Sequence, residues 1–335
     1  MEASGTRSPL TEGASAKPAS GSKAADGTAP VDGIVVPAGD SSAIGVDACV
    51  FAHNEEDEIA RSVAAVLGAF GEAAKDDGPR VHVVVNGSRD RTAAIVREMA
   101  EGDGRIVLHE LSVGDKSNAW DHYVHELADP ARHHAFVDGD VRPEPGAIAR
   151  LAAGLRAHPG ALAASALPVG GRTSGPWAER ILVEAGLPGN LYMLRDATVR
   201  RMREEGFRLP IGLIGDDTLL RFMLLRDLDG RGTPDKARIA PVRGAFFRYE
   251  SLPWSMAGVR ERIARQRRYA LRDLQMALID AHWREGKGGL PHRIADLYGG
   301  AGPLTARHRA PRMRWPLMPG AWLKARRAWR ENEPG

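Results

Sequence analysis

From Val46 onward, short apolar runs rich in β-branched residues alternate with longer stretches in which apolar side chains recur every three or four positions. The runs at 48–52, 81–85, 105–108 and 134–137 predict strands, and the stretches at 55–70, 91–100, 116–127 and 145–155 predict helices. Strands alternating with helices of ten or more residues imply an α/β class with a mainly parallel sheet flanked by helices. Three of the predicted strands end in polar clusters: His53-Asn54-Glu55, Asn86-Gly87-Ser88 and Asp138-Gly139-Asp140. In an open α/β sheet, ligands sit at those carboxyl ends, so the pattern places its polar residues where a site belongs.

The second half is less regular. A glycine-bounded segment at 186–196 precedes a helical stretch through Arg203, and another helical pattern covers 216–225. A strand-like run at 244–249 leads into a long basic helix over about 254–283. Residues 1–45 are Ser, Gly, Ala, Thr and Pro with few large apolar side chains, too little to offset the entropy of ordering them. The predicted organisation is therefore a disordered tail at 1–45, an α/β domain at 46–250 and a basic helical extension at 251–335.

Composition narrows the function classes. No apolar run approaches the roughly 18 residues that span a bilayer; the nearest, 161–169, contains Ser165 and Pro168. The single cysteine, Cys49, excludes an internal disulfide and a cysteine-built zinc site. With no secretory pattern at the N-terminus, a soluble protein of a reducing, cytoplasmic compartment is the expectation. The net charge of +3 hides an asymmetry: residues 258–335 carry 17 Lys and Arg against 7 Asp and Glu, and the rest is acidic. Such a tail suits an anionic partner or is simply a solvated face.

Four clusters have the chemistry of a site. Asp138 and Asp140 flank a small residue after a strand, so two carboxylates can meet one hard cation, Mg²⁺ or Mn²⁺; Asp-Gly-Asp is also ordinary turn chemistry. Asp216-Asp217 opens a helix, where acids favour the dipole, and one of them could serve as a general base. Residues 86–92 offer backbone N–H groups to a polar ligand, or form a strand-to-helix turn capped by Asp90. Lys116 stands at a helix start, suited to a phosphate or merely to the surface.

In order and spacing these clusters resemble family 2 glycosyltransferases over about 48–249. The shared features are Phe51-Ala52-His53-Asn54-Glu55-Glu56, Asn86-Gly87-Ser88-Arg89-Asp90-Arg91-Thr92, Lys116-Ser117-Asn118-Ala119, Asp138-Gly139-Asp140 and Asp216-Asp217. The resemblance implies the GT-A nucleotide-sugar-binding fold and inverting, metal-dependent transfer from a nucleoside diphosphate sugar, a UDP-sugar being the expected donor. It implies Asp138 and Asp140 as metal ligands for Mn²⁺ or Mg²⁺, Asp217 as catalytic base and Asp216 as a supporting group. Glu55, Asn86, Lys116 and Asp138 are then the donor-binding residues.

The chain departs from the family in places. Asn86 stands where many members have the aspartate that meets a uracil base, Asp216 replaces a Glu, and Asp115 separates Gly114 from Lys116. Arg265-Gln266-Arg267-Arg268-Tyr269 resembles the Gln-x-x-Arg-Trp motif of processive members, one residue short and with Tyr for Trp. A non-processive enzyme is expected, with Arg265, Gln266 and Arg268 closing over the diphosphate. The expected acceptor is a saccharide or lipid-linked hydroxyl, in cell-envelope or exopolysaccharide synthesis, and not a nucleic acid. Trp322 and Trp329, seven apart among Arg and Lys, suit an interfacial helix on the inner membrane face, or pack back on the catalytic domain.

Two other enzyme classes fit less well. A sugar nucleotidyltransferase would carry a Gly-rich phosphate loop after the first strand, where His53-Asn54-Glu55-Glu56 stands; a dinucleotide oxidoreductase would need Gly-x-Gly-x-x-Gly there. A non-catalytic nucleotide-sugar-binding scaffold at the membrane surface would retain the fold but not need the base.

Overall fold

The computed structural model describes residues 34–35, 45–71, 78–129, 132–171, 173–249, 256–286, 289–298 and 318–330. Among the described residues, nine strands form one sheet: β1 (Ile34–Val35), β2 (Val46–Ala52), β3 (Val81–Asn86), β4 (Ile106–Leu111), β5 (His133–Asp138), β6 (Arg142–Pro143), β7 (Ala163–Val169), β8 (Leu191–Leu194) and β9 (Ile239–Arg248). Their order is β1-β9-β7-β8-β5-β2-β3-β4, with β6 paired to β9. The β5-β2-β3-β4 half is parallel throughout, while β8 runs antiparallel to both β5 and β7. Every residue of β2 and of β3 is buried, as expected for central parallel strands covered on both faces.

The helices are α1 (Ile59–Ala69), α2 (Thr92–Gly102), α3 (Lys116–His122), α4 (Ala147–Ala157), α5 (Ser174–Glu184), α6 (Asp196–Glu204), α7 (Asp216–Leu224), α8 (Met256–Arg284) and α9 (Met318–Arg330). One core packs α1, α2 and α4 against the sheet through Ile59, Val63, Val96, Ile148 and Leu151. A second core, on other strand side chains such as Cys49, Phe51, Val84 and Phe136, takes in α3, α6, α7 and the later half of α8. Alternate strand residues thus feed opposite cores, the two-residue period of a pleated strand.

The predicted strands and helices of the first half are all present, with shifted ends. The first helix starts at Ile59 rather than Glu55 because residues 53–58 form a loop, described below. The stretch at 116–127 ends in a π-helical turn, Tyr123–Leu127. Of the predicted disordered tail, Ile34 and Val35 pair with Val242 and Arg243 of β9 as a parallel edge strand, so these two residues correct that expectation. The other residues up to 44 lie outside the described set.

The basic extension is tied to the rest of the molecule: Ile279 and Trp283 of α8 belong to the second core. α9 lies against α8 through Ala321 and Ala325, which pack with Ala270, Leu271, Leu274 and Leu278; Trp322 is partly buried on the same cluster. The side chain of Trp329 is outside the described residues. No helix among the described residues is long and apolar enough to cross a membrane.

Candidate active site

Two loops at the carboxyl ends of β2 and β3 are stitched together by side chains. Ser88 Oγ accepts from the Asn54 N–H at 3.0 Å, and Asn54 Oδ1 accepts from the Arg89 N–H at 2.9 Å. Thr92 Oγ1 accepts from the Glu55 N–H at 2.8 Å, while Asp90 accepts from the Glu56 N–H at 3.1 Å and from the Thr92 hydroxyl at 2.6 Å. Ser88, Asp90 and Thr92 of the glycine-containing motif therefore hold the 53–56 loop in shape. Asn86 is only 4% exposed, and its Nδ2 donates to the Ala52 carbonyl at 3.0 Å. It braces two strand ends. His53 Nδ1 donates to the Asn86 carbonyl at 2.6 Å, which leaves Nε2 to accept from Asn54 Nδ2 at 3.0 Å.

Lys116, the first residue of α3, stands at the centre of the next group. Its helix is capped by Asp115, whose Oδ1 accepts from the Asn118 N–H at 2.8 Å. The interruption between Gly114 and Lys116 is thus an N-cap. Lys116 Nζ donates to Asp138 Oδ1 at 2.6 Å and lies 3.3 Å from Asp216 Oδ2. The latter atom is buried without a hydrogen bond, so that contact is an ion pair out of alignment for one.

Asp217 flanks the same lysine. Its Oδ2 accepts from the Gly189 N–H at 3.3 Å and its Oδ1 from the Thr218 N–H at 2.8 Å. Gly189 fits between them: a Cβ there would lie 3.3 Å from Asp217 Cβ and 3.4 Å from Lys116 Nζ. On the other side, Gly139 lets the Asp138–Asp140 turn press on β2, since a Cβ would meet the Phe51 carbonyl oxygen at 2.8 Å. Asp138, Asp216, Asp217 and Lys116 are brought together; Asp140, exposed, and Glu55, half-buried, stand near enough to repel Asp138 and each other.

Negative charge exceeds positive here. Burial, with the charges of Asp140 and Asp138, raises Glu55 to about 7. Burial raises Asp138 to about 6 despite the pull of Lys116, with Asp216 and Asp140 adding to the rise. Asp217 is raised by burial and by Asp216, against Lys116 and Arg272. Burial alone would lower Lys116, but Asp138 and Asp216 outweigh it and hold the lysine well above its ordinary value.

A divalent cation fits such a site. Among the described residues no three His, Cys, Asp or Glu side chains already form a cage, and Mg²⁺ or Mn²⁺ needs only one or two carboxylates beside phosphate and water oxygens.

The long helix α8 contributes Arg272, which the motif reading missed. Its stem packs on Gly215, immediately before Asp216, and its charge reaches Asp217. Arg268 and Arg265 lie one and two turns nearer the helix N-terminus; Arg265 is half-buried, while Gln266 and Arg268 are exposed. The spacing 265, 268, 272 marks one helical stripe, and that is the signal from which Arg272 could have been found.

A family model described as Glycosyl transferase family 2 matches residues 47–229, which include all of these carboxylates. The chain belongs to that family. It is a glycosyltransferase. No curated protein matches it significantly. Among solved structures, it is similar to the mannosyltransferase PcManGT from Pyrobaculum calidifontis in complex with GDP-Man and Mn²⁺, at 17% identity and TM-score 0.57, covering 88% of this chain and 89% of that one. It is also similar to residues 1–349 of S. aureus TarS, at 14% identity and TM-score 0.48, covering 84% and 81%. At 17% identity the likeness to the mannosyltransferase is one of fold, and it places this family 2 glycosyltransferase on the GT-A scaffold expected from its motifs.

Proposed function

We propose that this glycosyltransferase moves a sugar, with inversion, from a nucleoside diphosphate sugar to a saccharide or lipid-linked hydroxyl. The observation that carries the reading is the convergence of Asp138, Asp216 and Asp217 on Lys116 at the carboxyl ends of the strands. Asp217 is the general base. Its Oδ1 accepts the Thr218 N–H and, at 3.3 Å, the Thr218 hydroxyl, while its Oδ2 accepts only the Gly189 N–H, which fixes the carboxylate and leaves a lone pair on Oδ2 for the acceptor. The acceptor oxygen attacks the anomeric carbon as its proton passes to Asp217. The bond from that carbon to the diphosphate breaks, and the diphosphate leaves with the electron pair from the opposite face.

Asp138 and Asp140 would hold Mn²⁺ or Mg²⁺, which when bound supplies charge neutralisation for the diphosphate. The fold relative solved with GDP-Man and Mn²⁺ supports this donor and metal class. Lys116 meets a phosphate or ribose oxygen. Glu55 lies by the donor, and Asn86 acts by holding the strand ends beneath it. Arg265, Gln266 and Arg268 approach the diphosphate from α8 when donor is bound, beside Arg272. In this reading 46–250 is the catalytic domain and 251–335 the extension that completes it.

The test is thermal unfolding with a panel of nucleoside diphosphates, with and without Mn²⁺. A ligand at about 100 times its Kd stabilises by roughly 2.7 kcal/mol. One nucleotide should give a metal-dependent shift that Asp138→Ala abolishes, and it identifies the base. The absence of any metal-dependent shift would overturn the donor site.

We also infer that α9 touches an anionic membrane from the cytoplasmic side. Its alanine face is occupied by α8, while the opposite face shows Leu323, 62% exposed, beside exposed Lys324, Arg326 and Arg327. Vesicles containing phosphatidylglycerol should co-sediment the protein, and pure phosphatidylcholine vesicles should not. Lys324→Gln with Arg326→Gln should weaken that binding about 30-fold, from roughly 1 kcal/mol per surface cation. Equal binding to both vesicle types, or to neither, would refute the contact.

A further inference from the structure

The catalytic pair sits at the end of a loop with little regular structure of its own. Residues 212–215 run from the second core to Asp216, and Gly215 has φ +88°, a backbone geometry that fixes the direction in which α7 departs. One of the two sides that hold the loop comes from outside the part that the family model matches, which ends at residue 229.

Gln275 of α8 is fully buried, and every polar atom of its side chain is engaged. Its Oε1 accepts from the Ile214 N–H at 2.7 Å, and its Nε2 donates to the Gly212 carbonyl at 3.0 Å and to the Tyr298 hydroxyl at 2.8 Å. A side-chain amide that takes an N–H and a C=O from one loop replaces the neighbouring strand the loop lacks. The loop's other edge is held by Asp115, whose Oδ2 accepts from the Gly212 N–H at 2.8 Å. Asp115 also caps the helix that begins with Lys116. One loop is thus pinned between the residue preceding Lys116 and the helix carrying Arg272, with Asp216 and Asp217 at its end.

We propose that Gln275 is a positioning residue for Asp217: by fixing residues 212–214 it sets where the base stands relative to Lys116 and the donor. Through it, the C-terminal extension is part of the catalytic apparatus. The inference rests on Asp217 being the base.

Gln275→Leu removes all three hydrogen bonds at similar volume. Misplacement of a reacting group by about 1 Å can cost about 100-fold, so kcat should fall about 10- to 100-fold with the donor KM within about threefold. In an Asp217→Asn background the same substitution should cost little further, because its effect passes through the carboxylate already removed. Gln275→Glu supplies a second arm should the leucine variant fold poorly. A protonated glutamic acid still accepts from Ile214 and has one O–H to donate, whereas the buried carboxylate repels the Gly212 carbonyl. Its activity relative to wild type at the same pH should therefore rise as pH is lowered.

A leucine variant that folds and keeps kcat within about threefold of wild type would overturn the proposal. So would a Glu-to-wild-type activity ratio that does not change with pH. If Asp217→Asn itself retains full transfer, the base assignment has failed rather than the role of Gln275, and the two failures are told apart by that single variant.

Discussion

Asp217→Asn should lower kcat by about 10²- to 10⁴-fold, the range a positioned general base contributes, while nucleotide affinity in the presence of Mn²⁺ stays within about twofold. The substitution keeps the shape, and Asn Oδ1 can still accept one of the two N–H donors, Gly189 or Thr218. The remaining NH₂ then faces the other donor, so a small local shift is expected, with a stability loss of about 1 kcal/mol. What disappears is the lone pair able to take a proton. Asp216→Asn is the control: its Oδ2 is buried against Lys116 with no hydrogen bond, so this change should affect affinity and stability as well as kcat. Steady-state kinetics together with calorimetric nucleotide binding separate the two. Transfer by Asp217→Asn at more than a tenth of the wild-type rate would show that another group takes the proton, and full nucleotide binding with no transfer in the wild type would favour a scaffold.

The parts of this site that the chain spells out locally were legible, and the parts assembled across distance were not. Asp138-Gly139-Asp140 follows an apolar strand run and needs a small middle residue, so motif and geometry coincide. Asn86 carries a contact that local reasoning does not supply. Its place in the motif suggests a ligand contact, and its Nδ2 also donates to the Ala52 carbonyl, because parallel β2 and β3 bring those strand ends side by side. In the sequence Gly189 is only part of a glycine-bounded segment; its N–H matters because β8 turns back antiparallel beside β5, which no local period encodes. Gln275 reads as one more polar residue on a basic helix, and only the packing of α8 beneath the 212–214 loop gives it a function. Elsewhere, the apolar run at 161–169 contains a central strand. α5 is not legible in the pattern because only Ile181 and Leu182 of its eleven residues are buried, too few to set a helical period.

Lys116→Met should cost both transfer and stability, and the pH dependence of the stability loss is the diagnostic part. The lysine sits 2.6 Å from Asp138 and 3.3 Å from Asp216, with both partners partly buried. Breaking a fully buried ion pair costs about 3–5 kcal/mol; with Lys116 and Asp138 still 29% and 28% exposed, water screens part of that and about 1–3 kcal/mol is expected at pH 8. Asp138 already has a folded pKa near 6, above its ordinary value of 3.8. Its protonated form therefore favours the fold, an advantage complete below about pH 4 and lost as pH rises through 6. Removing the lysine raises that folded pKa further, so the variant's deficit is greatest where Asp138 is ionised and shrinks as pH falls toward 5. Lys116 itself stays charged throughout, being held well above its ordinary value, and adds no slope in this window. Chemical denaturation at pH 5 and pH 8 reads the difference directly. Transfer at pH 8 should fall about 10²- to 10³-fold, comparable to losing one preorganised donor to developing charge. A deficit equal at both pH values would mean that Lys116 supports α3 by packing and does not balance the carboxylates.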